Sequence, residues 1–243
     1  MKIRWWHIIV FVLALIAFGI ALAPASLLAS RQGDLNYQRA EGTIWAGRLH
    51  GVQIGDYAVD QVSWTLSFFD VVRGKAVVPV VFEGGDIEGR IVLLGNWHGD
   101  RRFAAQNVRL RGLRVGEGLV LSGVTNFHDV DVLFAGGVCT RGQGRIVSDV
   151  FRQAGASIGW SGPDVEGRPR CEGDDAVVVL TGANEAGERV NMRILLAGDG
   201  AAAWRVSVVT QRPETLAALR EAGFERGAAD GALGYGEDTR WLP

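Results

Sequence analysis

Val177-Val178-Val179-Leu180, Val190-Asn191-Met192-Arg193-Ile194-Leu195-Leu196 and Trp204-Arg205-Val206-Ser207-Val208 are three short runs rich in β-branched and apolar residues. Asn184-Glu185-Ala186-Gly187 and Gly198-Asp199-Gly200 separate them. Short runs of this composition read as strands, and gaps this brief and turn-rich join antiparallel neighbours. The block therefore predicts a three-stranded antiparallel meander, and it sets the fold class for the rest of the chain.

The same grammar extends upstream. Residues 76–82 and 87–94 flank Gly84-Gly85-Asp86 and predict a hairpin. Residues 119–127 and 128–134 read as two further strands. In the second, Val130, Val132 and Phe134 fall on one face and Asp129, Asp131 and Leu133 on the other. Residues 59–66 alternate loosely, after which Ser67-Phe68-Phe69-Asp70 offers a serine cap for a short helix ending near Gly74. Pro213 and Glu214 open a second short helix, with Leu216 and Leu219 on one face and Gly223 as its stop. Residues 231–235 form a glycine-rich closing strand. With glycine at 34 of 243 positions, spread between Val-rich runs, the expectation is a mainly β, antiparallel domain carrying two or three short helices.

Ahead of that domain, no Asp, Glu, Lys or Arg occurs from Trp5 to Ser30, while Lys2 and Arg4 precede the stretch. Its apolar heart, bounded by Ile8 and Leu28, has 21 residues, and a helix rising about 1.5 Å per residue needs about 20 to cross a bilayer. The sequence thus predicts a single-pass membrane anchor. The two basic residues keep the N-terminus cytoplasmic, and Trp5 and Trp6 suit the interface. A cleaved signal peptide is the competing reading, because Ala23-Pro24-Ala25 and Leu27-Leu28-Ala29 offer small residues near a cut. The length of the run and Pro24, directly after Ala21-Leu22-Ala23, oppose it. The expected organisation is a tip and transmembrane anchor over residues 1–30, a linker over 31–39 and a β-rich domain over 40–243. A faint echo between Gly42-Thr43-Ile44-Trp45 and Gly144-Arg145-Ile146-Val147 suggests two degenerate units, about 40–135 and 136–243, with chance similarity of Gly-rich strands as the alternative.

With 25 basic and 27 acidic residues, the chain lacks the electrostatic footprint of a nucleic-acid binder. Cys139 and Cys171 lie past the anchor, on the side this topology makes oxidising, so a disulfide is the natural reading and two buried thiols the alternative. Eight tryptophans stand against three tyrosines. Trp45, Trp64, Trp160 and Trp204 fall in or beside predicted strands and read as core packing, whereas an exposed row would mark a binding surface.

Gly155-Ala156-Ser157-Ile158-Gly159 fits the G-x-S-x-G pattern, but that elbow needs a helix after its serine and a histidine later in the chain. Trp160-Ser161-Gly162-Pro163 cannot continue a helix, and His7, His50, His98 and His128 all precede Ser157. Neither His128 with Asp129 and Asp131 nor His98 with Asp100 has the spacing of a metal site. Phosphate-binding and dinucleotide fingerprints are lacking. The sequence therefore predicts no catalytic, cofactor-binding or metal residue, and not an enzyme.

Ala40-Glu41-Gly42-Thr43-Ile44-Trp45-Ala46-Gly47-Arg48, followed by Val62-Ser63-Trp64-Thr65-Leu66-Ser67 and Gly74, resembles protein N of the bacterial type II secretion system over most of the chain. Gly42, Trp45, Gly47, Val62, Trp64 and Gly74 carry the resemblance as structural motif positions. The pair Cys139 and Cys171, around Ile158-Gly159-Trp160-Ser161-Gly162-Pro163, looks like a version found in some proteobacterial branches. The resemblance implies a noncatalytic accessory protein of the inner membrane, with a periplasmic β domain that meets other secretion components and touches lipid through its anchor. Protein N is also similar in broad pattern to the AsmA-like envelope proteins, which implies a second expectation, an anchored lipid-binding or lipid-transfer module. The direction in which the inward residues of the predicted strands point separates the two: a closed core favours assembly and an open groove favours lipid.

Overall fold

Strands joined by tight turns pair with their sequence neighbours unless something intervenes, and almost nothing intervenes in this chain. The structure, a computed structural model, describes residues 18–19, 22–29, 35–115, 119–157, 160–221, 224–226 and 232–240. Its strands are β1 (Leu35–Asn36), β2 (Arg39–Gly42), β3 (Ala46–Ile54), β4 (Tyr57–Thr65), β5 (Lys75–Glu83), β6 (Ile87–Asn96), β7 (Arg101–Val115), β8 (Leu119–Ala135), β9 (Val138–Ser148), β10 (Val165–Glu172), β11 (Asp175–Ala183), β12 (Arg189–Leu196), β13 (Ala201–Val209), β14 (Glu225–Arg226) and β15 (Ala232–Arg240). Four short helices accompany them: α1 (Ser26–Ala29), α2 (Phe68–Val72), α3 (Val150–Ser157) and α4 (Pro213–Glu221).

From β3 to β13 each strand lies antiparallel beside its neighbour in sequence, in one 15-stranded sheet. At one margin β1 and β2 cover successive parts of β3; at the other, β15 pairs with β13 and β14 with β15. Because direction alternates, every second connection falls at the same end. The near end carries residues 43–45, α2 and the turns at 97–100, 136–137, 173–174 and 198–200. Gly136 N–H donates to Asp100 Oδ1 (3.1 Å), Arg101 Nη1 to the Gly198 carbonyl (3.2 Å) and Cys139 N–H to the Asp174 carbonyl (2.8 Å). Helices α3 and α4 occupy the far end.

A line of irregularities crosses the four central strands and bends the sheet. The β6–β7 register shifts between Glu88 and Arg90, and the β8–β9 register between His128 and Asp131. Asn107 and Asp129 take φ of 49° and 47° between them. Gly89 and Gly144 end the line with φ of 131° and 113°, each backed against the next strand's main chain, where a Cβ would collide with Val108 Cα or Val130 Cα. Bulges of this kind increase local twist and curvature. The bend gathers Val130, Val132 and Phe134 with Leu180, Val190, Met192, Val206 and Val208, together with α3 and α4, into the larger buried cluster. A smaller one holds Leu49, Val52, Val59 and Val62, with Ile87 packed against both.

Several expectations need correction. Residues 119–134 form one strand, β8, because Asp129 bulges without interrupting it. The linker placed at 31–39 contains β1 and the start of β2, since Leu35 and Arg39 find partners on β3. The closing strand placed at 231–235 runs on to Arg240, paired with β13. Of the four tryptophans expected in the core, Trp160 is buried while Trp45, Trp64 and Trp204 are half-buried. The unassigned region after Asn96 is β7. Of the expected anchor, residues 1–17 and 20–21, Ile8 among them, lie outside the described residues, as does the Gly223 helix stop. The described end of that stretch is not one continuous helix. Pro24 has no N–H to extend a helix, and it bridges Thr43 before α1, which contains Leu28. Among the described residues no helix is long and apolar enough to cross a membrane.

Cys139 and Cys171 are disulfide-bonded, Cα to Cα 5.5 Å, at the near end, beyond the regular β9–β10 ladder of Val165–Gly167 with 146–148. Their sequence separation is 32. Replacing both by serine is expected to lower the unfolding free energy by about 3–4 kcal/mol, the chain-entropy value for such a loop, read as a lower urea midpoint. The wild-type protein under reductant is expected to follow the variant.

Candidate functional site

The motif residues singled out in the sequence meet where the N-terminal segment joins the sheet. Ala25 is 1% exposed, its N–H donates to the Gly42 carbonyl (3.2 Å), and Ile44 N–H donates to the Ala23 carbonyl (2.9 Å). Gly42 takes φ of 85°, and a side chain there would collide with the Ala46 carbonyl. The Trp64 indole donates to the Ile44 carbonyl (3.1 Å) with its ring across the bare backbone of Gly47, where a Cβ would stand 2.3 Å from ring atom Cζ2. Val62, on the same face of β4, is 8% exposed in the smaller core. The G-T-I-W-A-G run and the V-S-W run are thus two halves of one device that fixes the loop receiving the N-terminal segment.

Trp45 carries the device outward to α2. Its ring stands edge-on to Phe68 at 5.2 Å, and Phe68 is edge-on to Phe69 at 5.9 Å. Ser67 Oγ accepts from Asp70 N–H and caps the helix, as its sequence predicts. Gly74 follows the C-cap Arg73 at φ 80°, and Trp97 Cδ1 lies 2.9 Å from where its Cβ would stand. Phe68, Phe69, Val72 and Trp97 are exposed by 50%, 71%, 66% and 80%. No sequence pattern singled out Trp97, which falls within a stretch that matched no recognisable motif.

On the opposite face of β2–β6 lies an open trough of about 670 Å³. Glu41, Arg48, Ser63, Val81 and Arg90 line it as one cross-strand row. A smaller depression of about 320 Å³ follows the crease between Glu88, Asn107, Arg109, Asn126 and His128.

Among the described residues two carboxylates are buried, and both are spent on structure. Asp131 receives Arg102 Nε (2.7 Å) and Nη2 (3.0 Å), with Arg141 Nη1 at 3.3 Å. Burial pushes its carboxyl up, but the hydrogen bonds and charges of Arg102 and Arg141 outweigh that and hold it below the usual carboxylate range. Glu188, 2% exposed, accepts from the Trp160 indole (2.8 Å), Asn184 Nδ2 (2.7 Å), Thr210 Oγ1 (2.5 Å) and Thr215 Oγ1 (3.3 Å). Burial raises it too, and the four donors more than offset the rise. Ser157 ends α3, so a helix precedes it where a nucleophile elbow needs one to follow. His98 and His128 are exposed and His50 is half-buried, on separate strands and turns; His7 lies outside the described residues. Among the described residues, no three His, Cys, Asp or Glu gather to hold a metal.

These features define a single-sheet β protein whose apolar N-terminal segment is received by a glycine–tryptophan lock at one end of the sheet. The chain belongs to the type II secretion system protein N family, whose model matches residues 33–231. Neither a curated protein nor a solved structure matches it significantly.

Gly47→Val is expected to expel the Trp64 ring, cost about 2–4 kcal/mol as other forced core clashes do, and flatten the near-UV dichroism. Gly95→Ala, where nothing lies within 4 Å of the added Cβ and the backbone φ is not positive, is expected to change stability far less. Both buried carboxylates have native pKa values below their unfolded ones, so their contribution is complete above the ordinary carboxylate range and is lost as pH falls through the native values. The urea midpoint is expected to hold steady above about pH 5 and to fall below about pH 4. Glu188→Ala, which strips the common acceptor from four donors, is expected to cost about 3 kcal/mol at neutral pH and to blunt that acid decline.

Proposed function

We propose that this protein is a noncatalytic accessory component of type II secretion, held at the bacterial inner membrane by its N-terminal segment with its N-terminus cytoplasmic, and presenting its sheet in the periplasm to other secretion components. The observation that carries the reading is the family match, whose 199 residues, 33–231, include the lock and most of the sheet. The uncharged stretch before the lock supports the membrane placement, and the disulfide suits an oxidising compartment. Positioning is the mechanism: a tethered domain is concentrated near partners in the same membrane. One route for contact is strand addition. The β3 margin is covered by β1 and β2, whereas β14 covers only Gly234 and Leu233 of β15 among the described residues.

The lipid-transfer reading needs an apolar interior open along the sheet. Val190, Met192, Val206 and Val208 instead pack in a closed cluster with α4, which favours assembly.

Photo-crosslinkers placed at Thr181, Asn191 and Arg205, exposed positions of β11–β13, in cells running the secretion system are expected to trap inner-membrane secretion components, and deletion of the gene is expected to lower export. Undiminished export without crosslinks, together with phospholipid co-purifying at about one molecule per chain, overturns the proposal in favour of the lipid module.

A further inference from the structure

Apolar exposure is concentrated at one corner of the molecule. Among the described residues, the seven large hydrophobic side chains at least half exposed belong either to residues 18–27 (Phe18, Leu22, Leu27) or to α2 and the β6–β7 turn (Phe68, Phe69, Val72, Trp97). The two groups adjoin. Ile44 N–H holds the Ala23 carbonyl, Trp45 follows Ile44 and packs its ring on Phe68, and Leu66 N–H donates to the Trp45 carbonyl (2.5 Å) at the entrance to α2. Trp97 closes the corner against Gly74. Arg73 and Lys75, both exposed, flank the end of α2.

We propose that α2 and the Trp97 turn rest in the lipid–water boundary of the membrane that the N-terminal segment enters, so that the near end of the sheet is seated on the bilayer. The bilayer is chosen as occupant by continuity. The segment that abuts the patch lacks any charged side chain from Trp5 to Ser30, and it reaches the sheet beside Trp45 without an intervening spacer. Aromatic rings with flanking Arg and Lys suit this boundary, where the ring bodies meet acyl chain and the cations meet headgroup phosphate. Within the corner Asp70 and Asp100 are half-buried, and Asp100 accepts from Asn96 Nδ2 (2.7 Å) and Gly136 N–H (3.1 Å). The turns further along the same end carry exposed Asp174 and Asp199, which an anionic surface repels, so contact is confined to the corner formed by β2–β7. The outward side of α2 stays open among the described residues, for the helix has no buried residue.

The proposal rests on the membrane reading above, and the test separates the two. The full chain, its disulfide intact, is reconstituted in vesicles of phosphatidylethanolamine and phosphatidylglycerol with an environment-sensitive fluorophore at Phe69→Cys, Trp97→Cys or, as control, Thr181→Cys on β11. Labels at 69 and 97 are expected to emit to the blue of the 181 label and to be quenched by lipids carrying a shallow spin label, while the 181 label is quenched only by aqueous iodide. Circular dichroism of each variant verifies the fold. Labels at 69 and 97 that stay open to iodide in a chain that floats with the vesicles and resists carbonate overturn the seating and leave the anchor standing. Labels shielded from both quenchers overturn it in favour of a protein cover. A chain that fails to float removes the membrane reading and the seating with it.

Discussion

Antiparallel pairing of each strand with its sequence neighbours is the constraint from which the rest of this structure follows. From β3 to β13 every strand lies between the strands before and after it, which leaves two margins among the described residues. One margin is blunted by β1 and β2. A single sheet, however, has two faces and cannot bury one of them by pairing alone. The line of bulges from Gly89 to Gly144 resolves the conflict by bending the long central strands until β8 and β12–β13 share one cluster. Glycine or a short polar residue stands at each step of that line because the backbone φ is positive there.

The two ends of the sheet are secured by different chemistry. At the far end Glu188 draws Trp160, Asn184, Thr210 and Thr215 onto one carboxylate, which ties the β11–β12 turn to α4 and to the loop after α3. Its charge is stabilised by hydrogen bonds from these four neutral donors, so acid attacks this end. At the near end the disulfide joins β9 to β10 where their regular ladder has lapsed, so reduction attacks the other.

Period two and turn chemistry made the β5–β6 hairpin, the β11–β13 meander, the Ser67 cap of α2 and the Pro213 start of α4 legible in the sequence. Strand β7 was not, because its outward positions are filled by cations. Arg102, Arg109 and Arg111 answer Asp131 and Glu88 across the sheet, a pairing invisible until the register is known. The break expected between Phe127 and His128 is instead a bulge at Asp129 within one strand; the same polar, turn-forming character serves both. The lock at Gly42, Gly47 and Trp64 was legible as a pattern but not as a mechanism, since only the fold shows that Gly47 is bare in order to seat an indole. Trp97 escaped for the converse reason: core packing is the usual fate of a tryptophan in a β domain, and exposure is a property of the end on which its turn falls.

The lock also bears on how a tethered domain works. A flexible linker lets a domain sample a hemisphere of orientations and raises effective concentration without favouring any one of them. Here the segment's last described residues are hydrogen-bonded to β2 and the residues after it, and Ala25 is buried, so rotation about the entry point breaks main-chain bonds. The orientational freedom surrendered at the lock is then no longer lost when a partner binds, which lowers the ordering cost of association. Strand margins and outward faces are thereby held at fixed angles to residues 23–25, the part of the N-terminal segment that the lock grips.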